Sequence, residues 1–325
     1  MQRLSPKYRN WLLRVGGSLV ALFLLFWLLS DEKILAAFRS VPLSTFLIVI
    51  GLFIMAHIGA ALKWRYLLDG GLSVSTALRA HFAGLAANLC LPGAIGGDAV
   101  RAAVAYRSIG DAPRIVSVAA VDRLIDMTAL LTISAIGIVY ASGRSGELQF
   151  LLLTGFLLSL VFLCLVMLSK LFDLVWRVFP NLPGRSFAEK LVGHFSSISR
   201  QPKRLLVVFL SSVVIQTALV LMSWWLGRAA GIGTDVGPWL FAWPPAKIIA
   251  VLPVTLNGLG LREGVLASML VPFGADAAAI VAAGLVWQAV MFTVGGIGAI
   301  FLFITNRIDP AAQESWAETK EQQTG

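Results

Sequence analysis

Leu91-Pro92-Gly93-Ala94-Ile95-Gly96-Gly97-Asp98-Ala99-Val100-Arg101 interrupts an apolar stretch with a proline, three glycines, an acid and a base. A second interruption follows as Leu252-Pro253-Val254-Thr255-Leu256-Asn257-Gly258-Leu259-Gly260-Leu261-Arg262-Glu263, its proline 161 residues after the first and its arginine again nine positions beyond the proline. Irregular backbone at membrane depth is tolerated only where it is buried in protein or lines a cavity. Paired Gly/Pro-interrupted segments in two halves of a transporter point to its binding site.

The surrounding composition supports a membrane setting. Of 325 residues, 58% are apolar and only 13% charged, and the mean hydropathy is +0.83, too apolar for a soluble domain of this length. The net charge of +9 comes from basic residues clustered beside apolar spans, the pattern of positive-inside topology rather than of nucleic-acid binding. Cys90 and Cys164 lie far apart in apolar sequence, so neither a disulfide nor a metal site is expected. The first apolar run lacks a small-residue cleavage site and is followed by Asp31-Glu32-Lys33, which identifies a retained helix rather than a signal peptide.

A span needs about 20 apolar residues. The sequence predicts full crossings at Trp11 to Leu29, Leu43 to Leu62, Ile115 to Tyr140, Leu148 to Leu168, Leu205 to Leu226 and Ala277 to Ile304. Lys63-Trp64-Arg65 reads as an interfacial anchor closing the second of these. Residues 74–114 and 237–272 read as re-entrant hairpins around the two breaks. The polar loop 170–204 carries seven Lys or Arg against Asp173 and Glu189, which places it in the cytoplasm with both termini. Trp64 and Trp225 share the 161-residue offset, and Gly110-Asp111-Ala112 matches Ala275-Asp276-Ala277. The expectation is one all-α polytopic membrane domain over 1–325, with six full transmembrane helices and two re-entrant hairpins, eight membrane segments by hydropathy. Residues 11–140 form one inverted-topology repeat, 141–169 and 205–305 the other, and 308–325 a disordered tail.

Arg101 and Arg262 follow the breaks and are expected near the starts of the downstream half-helices, where the helix dipole and free N–H groups favour an anion. A guanidinium fork suits phosphate, so the two are substrate-binding candidates, with Lys247 entering the second hairpin and with Asn88 and Asn257 beside the breaks. Snorkelling is the competing reading for Lys247, and satisfaction of hairpin backbone that for the asparagines. Asp122 and Asp126 lie one helical turn apart with Arg123 between. Together with Asp98 and Glu263 they are candidates for coupling or charge pairing; the plainer alternative is that Asp98–Arg101 and Arg262–Glu263 are structural salt bridges. Pro92, Gly96, Gly97, Pro253, Gly258 and Gly260 are read as the residues that break the helices. His57 and His81 read as interior histidines rather than metal ligands. The sequence shows no catalytic triad, nucleotide loop or cofactor motif.

At these motifs the chain resembles the lysylphosphatidylglycerol synthase transmembrane-region family, flippase-like membrane proteins. The likeness is carried by Lys63-Trp64-Arg65, Asn88 to Gly93, Gly96 to Arg101, Asp122-Arg123, Leu252-Pro253 and Asn257 to Glu263, within roughly residues 10 to 307. The resemblance implies a bacterial inner-membrane protein that moves or handles lipids such as aminoacylated or other anionic phospholipids, glycolipids or hopanoids. Synthases of the family carry a soluble aminoacyl-transferase domain after the membrane region, whereas 18 residues follow Arg307 here. Lysyl transfer by this chain alone is therefore not expected. Ala94-Ile95 also stand where many relatives carry a basic residue. The resulting expectation is a non-enzymatic transporter that moves an anionic amphiphile between leaflets, with membrane lipids as partners and self-association left open. The alternative is a subunit for lipid or glycolipid modification acting with a separate enzyme.

Overall fold

In the computed structural model, the described residues are 39–90, 94–142, 184–251 and 258–307, with isolated positions at 36, 155, 174, 175, 177 and 178. They form nine α-helices: α1 Leu43–Leu67, α2 Val74–Cys90, α3 Ala94–Ile109, α4 Ala112–Ser142, α5 Arg185–Ser199, α6 Pro202–Ala229, α7 Val236–Ala250, α8 Leu261–Leu270 and α9 Ala277–Arg307. A single 3₁₀ turn, Val271–Phe273, follows α8. The expected crossing at 11–29, that at 148–168 apart from position 155, the tail from 308, and Pro92, Pro253 and Asn257 lie outside the described residues.

Among the described residues, four helices are long and apolar enough to cross a membrane: α1, α4 over Ala112–Ala141, α6, and α9 over Ala277–Ile304, with mean hydropathies of 2.3, 1.9, 2.5 and 2.0. Leu43, Met55, Val214 and Phe303 stand exposed on them, between 60 and 70%. Such an apolar exterior suits lipid rather than water. The protein is a multi-pass membrane protein. Between the long helices lie two helical hairpins, α2–α3 and α7–α8, so the described part runs long, short, short, long, twice over, with the short α5 between the two runs.

Segment 170–204, expected to be a loop, contains α5. Ala188, Phe195 and Ile198 fall on one face of that helix and are buried, and the Ser117 hydroxyl on α4 donates to the Leu191 carbonyl at 2.8 Å. The basic residues conceal this apolar spacing of three to four.

Local chemistry fixes the helix ends. Pro202 opens α6 at a position where its missing N–H costs nothing. The same helix closes through Gly231, at φ 92°, with Ile232 N–H bonded to the Gly227 carbonyl at 2.9 Å. Inside α7, Pro244 and Pro245 cannot donate to carbonyls one turn earlier. The Ser134 hydroxyl of α4 donates to the Phe241 carbonyl instead, at 2.8 Å. A side chain at Gly137 would overlap the Leu240 and Phe241 backbone, so Gly137 is what lets α4 and α7 approach closely. Replacing Gly137 with alanine is expected to lower stability by about 1–3 kcal/mol through overpacking, seen as an earlier thermal transition in detergent.

Candidate functional site

The two hairpins and the long helices enclose a cavity of about 230 Å³. Phe53, Leu85, Leu219, Trp243, Trp287 and Met291 supply an apolar wall. The polar part contains five cationic side chains, Lys63, Arg101, Arg123, Lys247 and Arg262, against three carboxylates, Asp98, Asp122 and Asp126. Asn88, His57, His81 and Gln216 complete it.

Helix geometry explains the charged cluster. Asp122 and Asp126 project from one face of α4, as their spacing of four requires, and meet Lys63 of α1. Lys63 Nζ lies 3.0 Å from Asp122 Oδ1 and 2.5 Å from Asp126 Oδ1, and donates to Ser212 Oγ at 2.9 Å. Lys63 and Trp64 are only 6% and 0% exposed. They do not form the interfacial anchor that the sequence suggested, because two buried acids on the facing helix draw the ammonium inward. The signal was present in Asp122 and Asp126 themselves, whose charges demand a cation.

Arg101 donates to Asp122 Oδ2 at 3.4 Å, lies 3.6 Å from Asp98 Oδ1, and places its guanidinium 4.5 Å from the centre of the Trp64 ring. Its neighbour Arg123 grips Asp98 with both ends of its fork, Nε to Oδ2 at 2.9 Å and Nη2 to Oδ1 at 2.5 Å. Both candidate acids of this hairpin region are therefore bound by cations.

The first break differs from its expected form. Gly96 and Gly97 lie within α3 and do not interrupt it. A side chain at Gly97 would meet Asn88 and the Gly84 carbonyl, so this glycine serves close packing of α3 on α2. Asn88 Oδ1 accepts the Gly97 N–H at 2.9 Å, satisfying an amide in the opening turn of α3. Arg101 consequently sits two turns into α3 rather than at its start.

The second break keeps the expected form. Gly258 and Gly260 have φ of 77° and 78°, the left-handed region that favours glycine, and α8 begins at Leu261. Glu263 Oε2 accepts the Gly260 N–H at 2.8 Å, the return bond of a capping box. Its other oxygen accepts from Arg262 Nε at 3.0 Å and from Nη2. Arg262 reaches onward to the Gly284 carbonyl at 3.2 Å and to Met291 Sδ at 3.7 Å. Any side chain on Gly284 would overlap the Glu263 carboxylate. Gly284→Ala is expected to lower stability by about 1–3 kcal/mol, measured as thermal unfolding in detergent, with Gly264→Ala, where no neighbour approaches within 4 Å, as the mild control.

Lys247 stands apart from the other cations. Its Nζ donates to Gln216 Oε1 at 2.6 Å and lies 4.9 Å from the Trp243 ring centre, but no carboxylate pairs with it among the described residues. In the same cavity, the indole nitrogen of Trp243 and Nδ1 of His81 are buried without a hydrogen-bond partner among the described residues. The sequence reading missed Gln216, whose neutral side chain carries no charge pattern to betray its position.

The structure thus gathers Asn88, Asp98, Arg101, Asp122, Arg123, Asp126, Lys247 and Arg262 around one cavity, with Glu263 fixing Arg262. Comparison with curated proteins gives no match. A family model does match, over residues 11–298, and by it the chain belongs to the family described as lysylphosphatidylglycerol synthase TM region.

Proposed function

We propose that this protein translocates a phospholipid or related anionic amphiphile between the leaflets of the bacterial inner membrane. The cavity receives the headgroup while the acyl tails remain in lipid. The observation that carries this reading is Lys247, a cation facing the cavity with a neutral hydrogen-bond partner and an aromatic face instead of a carboxylate. An incoming phosphate supplies the missing counter-charge. Arg262, at the start of α8, adds a guanidinium near the free N–H groups of a helix terminus. Arg101, held by Asp98 and Asp122, lines the site from the opposite hairpin.

Hairpin lengths support re-entrance. At 1.5 Å rise per residue, the 17 residues of α2 and 15 of α7 extend about 26 and 22 Å, short of the ~30 Å hydrocarbon core. The hairpins then enter from opposite faces in an inverted repeat, with both termini in the cytoplasm. Headgroup release requires only rearranged ion pairs, so the chain carries out no bond-breaking chemistry in this reading.

Native mass spectrometry of the purified protein tests the site. Phosphatidylglycerol is expected to be retained in preference to phosphatidylcholine; equal retention contradicts the anion site. The family description, the membrane region of a synthase, favours a second reading in which this chain presents lipid to a separate modifying enzyme. That reading predicts no lipid transfer by the protein alone and altered lipid products on co-expression with such an enzyme.

A further inference from the structure

The cavity holds a pair of titratable groups that anion binding leaves unused. His57 on α1 and His81 on α2 face each other with Nδ1 of His57 2.9 Å from Nε2 of His81, their ring centres 5.2 Å apart. Both line the cavity. His81 is 9% exposed and its Nδ1 has no hydrogen-bond partner among the described residues. Phe53 packs on His57 with ring centres 4.4 Å apart. One imidazole donates and the other accepts in the shared bond, so the neutral pair can take up one further proton and become an imidazole–imidazolium pair.

The carboxylates around the pair, and every cation but Lys247, are already committed to ion pairs. Along α1, Lys63 is held by the two acids of α4, Asp122 and Asp126. Asp98 and Arg101 of α3 are tied to Arg123 and Asp122 of α4. From α6 comes neutral Gln216, bound to Lys247 of α7. Arg262 of α8 is held by Glu263, and α9 brings uncharged Trp287 and Met291 to the cavity. Protonating any of these four carboxylates breaks an ion pair and strands a buried cation, a costly event. A proton on the histidine pair breaks none of them.

We infer that His57 and His81 are the proton-accepting site that couples proton uptake to entry of a phosphate-bearing headgroup. The inference rests on the anion reading above and moves the coupling role away from Asp98, Asp122, Asp126 and Glu263, where the sequence placed it. The coupling is reciprocal: a negative headgroup in the cavity favours the added proton, and the added proton favours the headgroup by the same factor. Anion affinity therefore rises as pH falls.

Calorimetric titration of the solubilised full chain with dioctanoyl-phosphatidylglycerol, repeated in buffers of different ionisation enthalpy, counts the protons taken up. The expected result, as the pH of the titration is lowered below neutral, is up to about one proton per lipid bound and an affinity that rises by up to about tenfold per unit fall in pH. His57→Gln and His81→Gln should abolish the uptake, whereas Lys247→Gln should weaken binding and retain it. Binding whose heat is independent of buffer and whose affinity is independent of pH overturns the coupling while leaving the anion site intact. Uptake that persists in both histidine variants overturns it as well, and absence of binding removes the anion site and the coupling together. The chain has three histidines, so histidine-selective NMR reads the intact protein without substitution. On adding lipid, the His57 and His81 signals should move towards imidazolium while that of His194, in a separate pocket beside Asp111, stays in place; an unmoved pair contradicts the inference.

Discussion

Lys63→Met should lower stability by about 3–5 kcal/mol, because it leaves Asp122 and Asp126 in the interior without the cation they share. Lys63 is 6% and Asp122 3% exposed, so water cannot take over the role. The loss should appear as a large fall in the thermal transition in detergent, or as failure to accumulate in the membrane. Adding Asp126→Asn alone to Lys63→Met should recover part of it, since Asp122 keeps Arg101 as its counter-charge. Unaltered stability in the single variant would mean that the cluster is hydrated and not structurally required.

Lys247→Gln should behave in the opposite manner: a folded protein with impaired lipid transfer. The cation it removes pairs with Gln216 rather than with an acid, so no buried carboxylate is stranded. A hydrogen bond to a charged group is worth about 1.5–3 kcal/mol, which at 1.4 kcal/mol per decade corresponds to roughly 10- to 100-fold weaker headgroup binding. Leaflet-resolved transfer of a fluorescent phosphatidylglycerol in proteoliposomes should fall correspondingly at limiting lipid. Transfer at the wild-type rate would place the anion elsewhere.

These contrasting lysines show what could be read from the chain. Long apolar runs gave α1, α4, α6 and α9 to within a few residues, because a membrane crossing leaves a contiguous composition signal. The hairpins were visible as short apolar segments around proline and glycine. Less visible was what each glycine does: Gly258 and Gly260 break the backbone, as the motif suggests, whereas Gly97 sits inside α3 and admits Asn88 and Gly84. One-dimensional spacing does not distinguish a backbone that must turn from one that must be approached. The same limit made Lys63-Trp64-Arg65 look interfacial, since the acids that pull Lys63 inward lie on another helix about 60 residues away. His57 and His81, 24 positions apart, match no ligand spacing and come together only through the packing of α1 against α2.

The central claim is best tested by reconstituting the unmodified protein in vesicles of phosphatidylcholine containing a trace of fluorescent phosphatidylglycerol, and following chemical quenching of the outer leaflet. The account predicts that quenching passes the one-half limit of protein-free vesicles, because inner-leaflet lipid is delivered outward, and that an acid interior accelerates this delivery. Quenching that stops at one half in vesicles of verified protein content, with or without a proton gradient, would contradict autonomous lipid translocation.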